Sequence, residues 1–338
     1  MDYRVNKATI CVVGAGSWGT ALALTLAKNG HKVWLWGRNA EHMRDMAQSR
    51  FNKRYLPDNK FPDTLYPTSD MQTAAEKADH ILLVMPSKSY RSVLQQLQPH
   101  VANHVGIASA SKGLEPKTFK LLEQLIREEL GAERSIAIIS GPTFAKEVAN
   151  GLPTAITVAS TKQSYAAKFA SLVHNDTFRA YTSSDAIGVQ IGGAVKNILA
   201  IAAGIADGMK LGANSRAALI TRGLSEVTRL GIKLGGQHDT FMGLTGLGDI
   251  VLTCTDNQSR NRRVGLALAE GKNLEAILQD LGQVAEGVYT TKEVHRLAKK
   301  LDVDMPITEH VYRIIYENED PRLAVKSLLT RAIRSELD

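Results

Sequence analysis

The chain has 338 residues, 44% hydrophobic and 22% charged, with 41 Lys and Arg against 34 Asp and Glu for a net charge of +7. That supplies apolar material for two packed domains, and the lack of like-charge blocks or Pro-, Ser- and Gln-rich tracts speaks against disorder. The basic residues are scattered and not interleaved with the 6% of aromatics, so no nucleic-acid platform is expected; a small anionic substrate accounts for the charge equally well.

Cys11 and Cys254 stand in apolar surroundings without a CxxC or Cys/His cluster, which argues against zinc or a disulfide framework and for a reducing cytoplasm. The nine histidines form no HExxH and there is no GxSxG, so metal-hydrolase and serine-hydrolase chemistry have no foothold. The opening MDYRVNKATICVVGAGSWG is too polar for a secretory signal, and no targeting segment is expected.

In chain order, residues 8–13 read as a strand, 14–19 as a loop, and 20–29 as a helix stopped by Gly30. Strands follow at 32–36, 80–85, 105–110, 136–139 and 155–159, and helices at 41–49, 90–98 and, strongly amphipathic, 116–130. This alternation predicts an α/β fold with a parallel, doubly wound, Rossmann-type sheet. Past Ser184 only helical spacing remains, at 186–209, 215–234, 260–270, 274–281, 290–301, 307–317 and 321–330, with an apolar stretch at 249–253. Residues 186–209 are long enough to span a bilayer, but Gln190, Lys196, Asn197 and Asp207 point to a buried helix of a soluble domain, without stable membrane insertion.

In VVGAGSWG, Gly14, Gly16 and Gly19 have the GxGxxG spacing directly after a strand and before a helix. The first two permit a tight turn and close approach of a pyrophosphate to the helix N-terminus, and the third lets helix and strand pack closely. We therefore expect a dinucleotide-binding Rossmann domain over 1–184 and an all-helical substrate and catalytic domain over 185–338, with the site in the cleft between them. Where an NAD-specific protein usually carries an acid, the second strand ends Trp36-Gly37-Arg38. An arginine there can pair with a 2′-phosphate, which favours NADP(H) and leaves NAD(H) open; the plain alternative is a solvated loop residue.

IGGAVKNILAIAAG sets Lys196 into an apolar helix beside Gly192, Gly193 and Ala194. Desolvation would lower such a lysine toward neutrality, as proton exchange with a carbonyl or alcohol requires, unless it snorkels to the surface. Lys112, in SASKGLEP, follows a strand at the carboxyl edge of the sheet, where a second ammonium could polarise the same oxygen or simply lie in a loop. GLGDIVLTCTDNQSRNRR places Asp249 at a helix start, Thr253 one turn on, and Ser259, Arg260 and Asn261 at the next helix start. That is either a phosphate site or a pair of N-caps beside a wet arginine face. SGPTFAKEV ends a strand in a Gly-Pro-Thr turn that either offers N–H groups and a hydroxyl to a ligand or merely connects strand to helix.

Taken together and in this order, VVGAGSWGTALA, SKGLE, ISGPTFAKE, GGAVKN, GLGDIVLTC and NQSRNRR resemble the bacterial NAD(P)-dependent sn-glycerol-3-phosphate dehydrogenases over nearly the whole chain. The resemblance implies a Rossmann domain joined to a helical one, a cytoplasmic homodimer, and reversible interconversion of dihydroxyacetone phosphate and glycerol 3-phosphate, feeding phospholipid synthesis. It implies Lys196 as proton donor and acceptor, supported by Lys112, Asn197, Asp249 and Thr253, with Asp249 and Asn197 holding the ammonium in line. It implies phosphate contacts from Ser259, Arg260 and Asn261 and substrate-side contacts from Gly141 and Thr143. The implied cofactor positions are Gly14, Gly16, Ser17, Trp18, Gly19, Arg38, Lys112, Ala145, Arg260, Val284 and Glu286. A 6-phosphogluconate-type β-hydroxyacid dehydrogenase fits less well: its GxxxKxxxN helix is matched by Gly192 and Lys196, but Ala200 stands where its asparagine belongs.

Overall fold

A computed structural model describes residues 7–282, 284–333 and 335. The first strand, β1 (Thr9–Val13), and the next, β2 (Lys32–Trp36), are joined by helix α1 (Ser17–Lys28), and α2 (Ala40–Ser49) follows. A short hairpin, β3 (Phe51–Asn52) and β4 (Leu56–Lys60), precedes β5 (Leu65–Thr68), α3 (Met71–Ala75), β6 (His80–Leu83) and α4 (Tyr90–Leu97). Then come β7 (Gly106–Ser109), α5 (Leu122–Leu130), β8 (Ile136–Ser140), α6 (Ala145–Ala149), β9 (Thr154–Ala159), α7 (Gln163–Val173) and β10 (Phe178–Ser183). Eight of these strands form one sheet, ordered β10-β9-β8-β7-β6-β1-β2-β5. Strand order reverses beside β1, and the carboxyl ends there open the crevice in which doubly wound folds take ligands. The sheet's buried strands are Val-, Ile- and Leu-rich because both faces are covered.

Two expectations are corrected. The sheet is not wholly parallel: β8 and β9 pair antiparallel, Ile138 opposite Ala159, so β9 and β10 run against the rest. The helix expected over 116–130 occupies only Leu122–Leu130. Before it, Lys117 and Phe119 take positive φ of 74° and 63°, and Leu114 bridges Leu121, folding residues 114–121 into a tight loop. The amphipathic spacing is real, but Glu115 accepts from the Thr118 hydroxyl and from Arg91, stabilising the turn in place of a first helical turn. Strands β5 and β10 and the hairpin were not foreseen; β5 carries Pro67 and β10 alternates weakly, as edge strands do.

The remaining elements are helical: α8 (Ala186–Gly208), α9 (Gly212–Lys233), α10 (His238–Met242), a π-turn at Leu244–Gly248, α11 (Asp249–Thr255), α12 (Arg260–Ala269), α13 (Leu274–Leu281), α14 (Glu286–Leu301), α15 (Pro306–Tyr316) and α16 (Pro321–Leu329). Asp185 caps α8 by accepting from Gly188 N at 2.8 Å. Helix α8 is apolar round most of its surface because α9, α11, α12 and α14 surround it; 20 of its 23 residues are buried, with 94% of its most apolar stretch inside.

Candidate active site

Lys196 lies mid-way along α8 and is 6% exposed. Its ammonium donates to Asp249 Oδ1 at 2.5 Å and to Thr253 Oγ1 at 2.8 Å. Lys112, reaching in from the loop after β7, donates to the other oxygen, Asp249 Oδ2, at 2.6 Å. Asp249 and Thr253 stand one turn apart on α11 and so share a face toward α8. One fully buried carboxylate thus holds an ammonium on each oxygen, two positive groups against one negative. Burial pulls the Lys196 amine down to about 8, against the opposing pull of Asp249 and with the help of Lys112.

Glycines on α8 make this approach feasible. A Cβ on Gly192 would lie 2.7 Å from the Thr245 carbonyl oxygen, and one on Gly193 would lie 2.8 Å from Ser140 Oγ and 3.6 Å from Lys112 Cγ. One expectation fails here: Asn197 does not hold the ammonium. It sits about 100° round the helix from Lys196, and Thr253 makes that contact in its place. The Asn197 side chain, 6% exposed, has no hydrogen-bond partner among the described residues.

The start of α12 divides its polar residues between structure and site. Ser259 caps the helix by accepting from Arg262 N at 3.2 Å, and Asn261 Oδ1 accepts from Gly287 N at 2.9 Å, which leaves the Asn261 NH₂ for a ligand. Arg260 is exposed on the crevice wall, with surrounding protein holding its guanidinium below the usual range while Glu286 and Tyr55 oppose that shift. Arg262, by contrast, belongs to no wet face: it is buried, ion-pairs with Asp207, and donates to Asn257 Oδ1 at 3.0 Å and to the Cys254 carbonyl at 3.2 Å. Glu286 links the two halves of the chain by accepting from Ser87 Oγ at 3.3 Å, and burial pushes its carboxyl up; Val284 lies half-buried just before it.

At the other end of the crevice, Gly14 and Gly19 are steric necessities: a Cβ on Gly14 would lie 2.1 Å from the Val84 carbonyl oxygen, and one on Gly19 1.8 Å from that of Gly14. Gly16 instead faces open space, and the N-terminus of α1 has no side-chain cap, so its N–H groups stay available to a pyrophosphate. The loop therefore fits a dinucleotide. Ser17 and Trp18 form the first turn of α1, and Arg38 is exposed just past β2. Gly141, at φ 150°, and Thr143, whose hydroxyl donates to the Gly141 carbonyl at 3.2 Å, shape the turn into Ala145 at the start of α6. Pro142 of that turn packs near Gly248, so the Gly-Pro-Thr segment abuts the helical half.

The family profiles for the N-terminus and the C-terminus of NAD-dependent glycerol-3-phosphate dehydrogenase match residues 9–166 and 185–326. The chain belongs to that family. It is 53% identical over 328 residues to the glycerol-3-phosphate dehydrogenase [NAD(P)+] of Pseudoalteromonas translucida, covering 97% of this chain and 98% of that one. Against the enzyme of the same name from Colwellia psychrerythraea it is 53% identical over 325 residues, covering 96% and 97%. The crystal structure of the Coxiella burnetii glycerol-3-phosphate dehydrogenase superposes with a TM-score of 0.93 at 48% identity, covering 96% of this chain and 99% of that one.

For a glycerol-3-phosphate dehydrogenase, two parts of this crevice and one buried arginine behind it escaped the sequence. Gly287 is required because a Cβ there would lie 2.7 Å from the Asn197 carbonyl oxygen and 2.8 Å from Asn261 Oδ1; it lies in the first turn of a helix that the sequence pattern marks only from residue 290. Tyr55 sits on the hairpin, which Asn52 pins to the glycine loop by donating to the Ala15 carbonyl at 3.2 Å and to Thr20 Oγ1 at 2.8 Å. Arg262 looked like one more solvated arginine in an arginine-rich stretch.

Proposed function

We propose that this protein catalyses the reversible NAD(P)H-dependent reduction of dihydroxyacetone phosphate to sn-glycerol 3-phosphate, with Lys196 as the general acid and base. The observation that carries it is the Lys196–Asp249–Lys112 bridge: a buried amine near 8, oriented by a carboxylate and a hydroxyl, beside a second ammonium. When bound, the nicotinamide supplies the hydride. Lys196 donates its proton to the oxygen that becomes the alkoxide, and in the oxidative direction the neutral amine takes the proton back. Lys112 and the Asn197 amide help bind that oxygen, while Arg260 and the Asn261 NH₂ hold the phosphate.

The division of labour follows: residues 1–184 bind the dinucleotide through Gly14, Gly16, Gly19, Ser17, Trp18 and Arg38, and residues 185–338 bring substrate groups and the proton. Arg38 favours NADP(H) over NAD(H). Family resemblance supports a cytoplasmic homodimer whose reductive flux feeds glycerophospholipid synthesis, and sedimentation of the purified protein tests the dimer.

Oxidation of NADPH with dihydroxyacetone phosphate, against phosphate-free dihydroxyacetone, is the direct test of the activity. Lys196→Ala should keep the fold and cofactor binding and lose on the order of 10³-fold in kcat, within the range typical of a positioned general acid. A folded Lys196→Ala protein with near wild-type turnover would remove Lys196 from the reaction.

A further inference from the structure

The loop that delivers Lys112 is held from outside the crevice. Glu115, three residues on and buried, accepts a two-pronged bond from Arg91 of α4: Nε to Oε1 at 2.6 Å and Nη2 to Oε2 at 2.9 Å. The same carboxylate accepts from the Thr118 hydroxyl, and the Glu115 N–H donates to the Lys120 carbonyl at 3.0 Å. Glu293 of α14 accepts from Lys117 N at 3.2 Å. The loop backbone is otherwise unfavourable, with positive φ at Gly113, Lys117 and Phe119. Gly113 also packs against the hydroxyls of Ser87 and Thr290, which leaves little room for the loop to settle elsewhere. A fork between guanidinium and carboxylate fixes orientation as well as distance, and a buried carboxylate leaves that fork only at a cost.

We propose that the Arg91–Glu115 fork is a positioning pair for the reaction: it fixes residues 111–121 so that Lys112 meets Asp249 on the carboxylate it shares with Lys196. This rests on the dehydrogenase reading above. Neither residue touches the crevice; both act through Lys112. Asp249 and Cys254 of α11 and Lys112 itself are the titratable groups around the Lys196 amine, while Asp207 and Arg262, farther along α8 and α12, pair with one another. When Lys112 is loosened, Asp249 serves Lys196 alone, the repulsion between the two ammoniums fades, and Lys196 holds its proton to higher pH.

The test uses the full-length enzyme with Glu115→Gln and Arg91→Lys, each of which keeps the volume and part of the hydrogen bonding. Both should lower kcat/KM for dihydroxyacetone phosphate about tenfold through misplacement of the reacting groups. Both should also move the alkaline limb of the reduction profile upward by about half a pH unit as the Lys112 charge recedes. Lys272→Gln removes an exposed ion pair with Glu270 that touches neither Arg91 nor the loop, and should leave rate and profile unchanged. Variants that melt earlier but superpose on the wild-type pH profile and kcat/KM would make the fork structural only and overturn the proposal while the dehydrogenase reading stands. A wild-type enzyme that turns over no dihydroxyacetone phosphate would overturn both.

Discussion

The chemistry turns on one lysine whose surroundings set its proton affinity. Reduction needs the ammonium form of Lys196 and oxidation the free amine, so with a value near 8 the reductive rate should fall as pH rises through about 8 and the oxidative rate should rise across the same range. Asp249 works against desolvation in setting that value, since its charge favours the ammonium. Asp249→Asn should therefore move the alkaline limb of reduction to lower pH, the opposite sense to loosening Lys112, and cost on the order of 10²-fold in kcat by releasing two ammoniums from one anchor. Initial rates in both directions across pH 6–10 (a span of about 2 units either side of the midpoint) check the prediction; an unmoved limb would show that Asp249 does not tune the amine.

Among elements, the contact of α8 with α12 sets how closely the catalytic helix and the phosphate-side helix approach. A Cβ on Gly204 would lie 2.1 Å from the Arg262 carbonyl oxygen, and one on Gly265 2.0 Å from that of Ile201, so the two backbones touch where both residues are glycine. Gly265→Ala should destabilise the protein by about 3 kcal/mol through overpacking, read as a lower urea midpoint together with a raised KM as Arg260 moves. Helix α15 depends on a carboxylate from another helix: Glu226 of α9 accepts from Ile307 N at 2.6 Å, and from Thr308 N at 3.1 Å and Oγ1 at 3.0 Å. Burial raises this carboxyl from 4.5 to about 7 despite those bonds. The folded protein therefore holds the proton more tightly than the unfolded chain, and the stability associated with it is full below about 4.5 and lost as pH rises through about 7. Relative to Glu226→Gln, the wild type should lose melting temperature over that window; parallel curves for the two proteins would refute the assignment.

For the whole molecule, the two halves meet through shared apolar packing, Ala186 and Val189 in a core of the sheet and Leu114 and Leu121 in the helical core, and through polar links at the crevice, Lys112 to Asp249 and Ser87 to Glu286 among them. A dinucleotide that touches both halves stabilises the folded chain by mass action, about 2.7 kcal/mol at a hundredfold excess over Kd. Saturating NADPH should raise the melting temperature more than NADH at equal concentration, and Arg38→Ala should erase that difference while preserving the response to NADH. Equal protection of the wild type by the two cofactors would assign Arg38 to the solvated surface.

Local chemistry determined much of this protein in advance. The glycine spacing after β1 and the alternation of periods two and three-point-six located the Rossmann half, because turn geometry and face burial act over a few residues. An apolar helix interrupted by Lys196 announced a desolvated amine, since a charge in such a run has few other uses. Tertiary structure decided what lies far apart in sequence. The antiparallel turn of β9, the loop that displaced the first turns of α5, and the choice of Thr253 over Asn197 as the ammonium's partner all depend on contacts between distant segments. Arg262 and Ser259 were drawn into structural work for the same reason: a side chain's role at a helix start follows from which neighbour reaches it first. Glu115 shows this most plainly, for nothing in SKGLE announces that an arginine from α4 will grip the loop carrying Lys112.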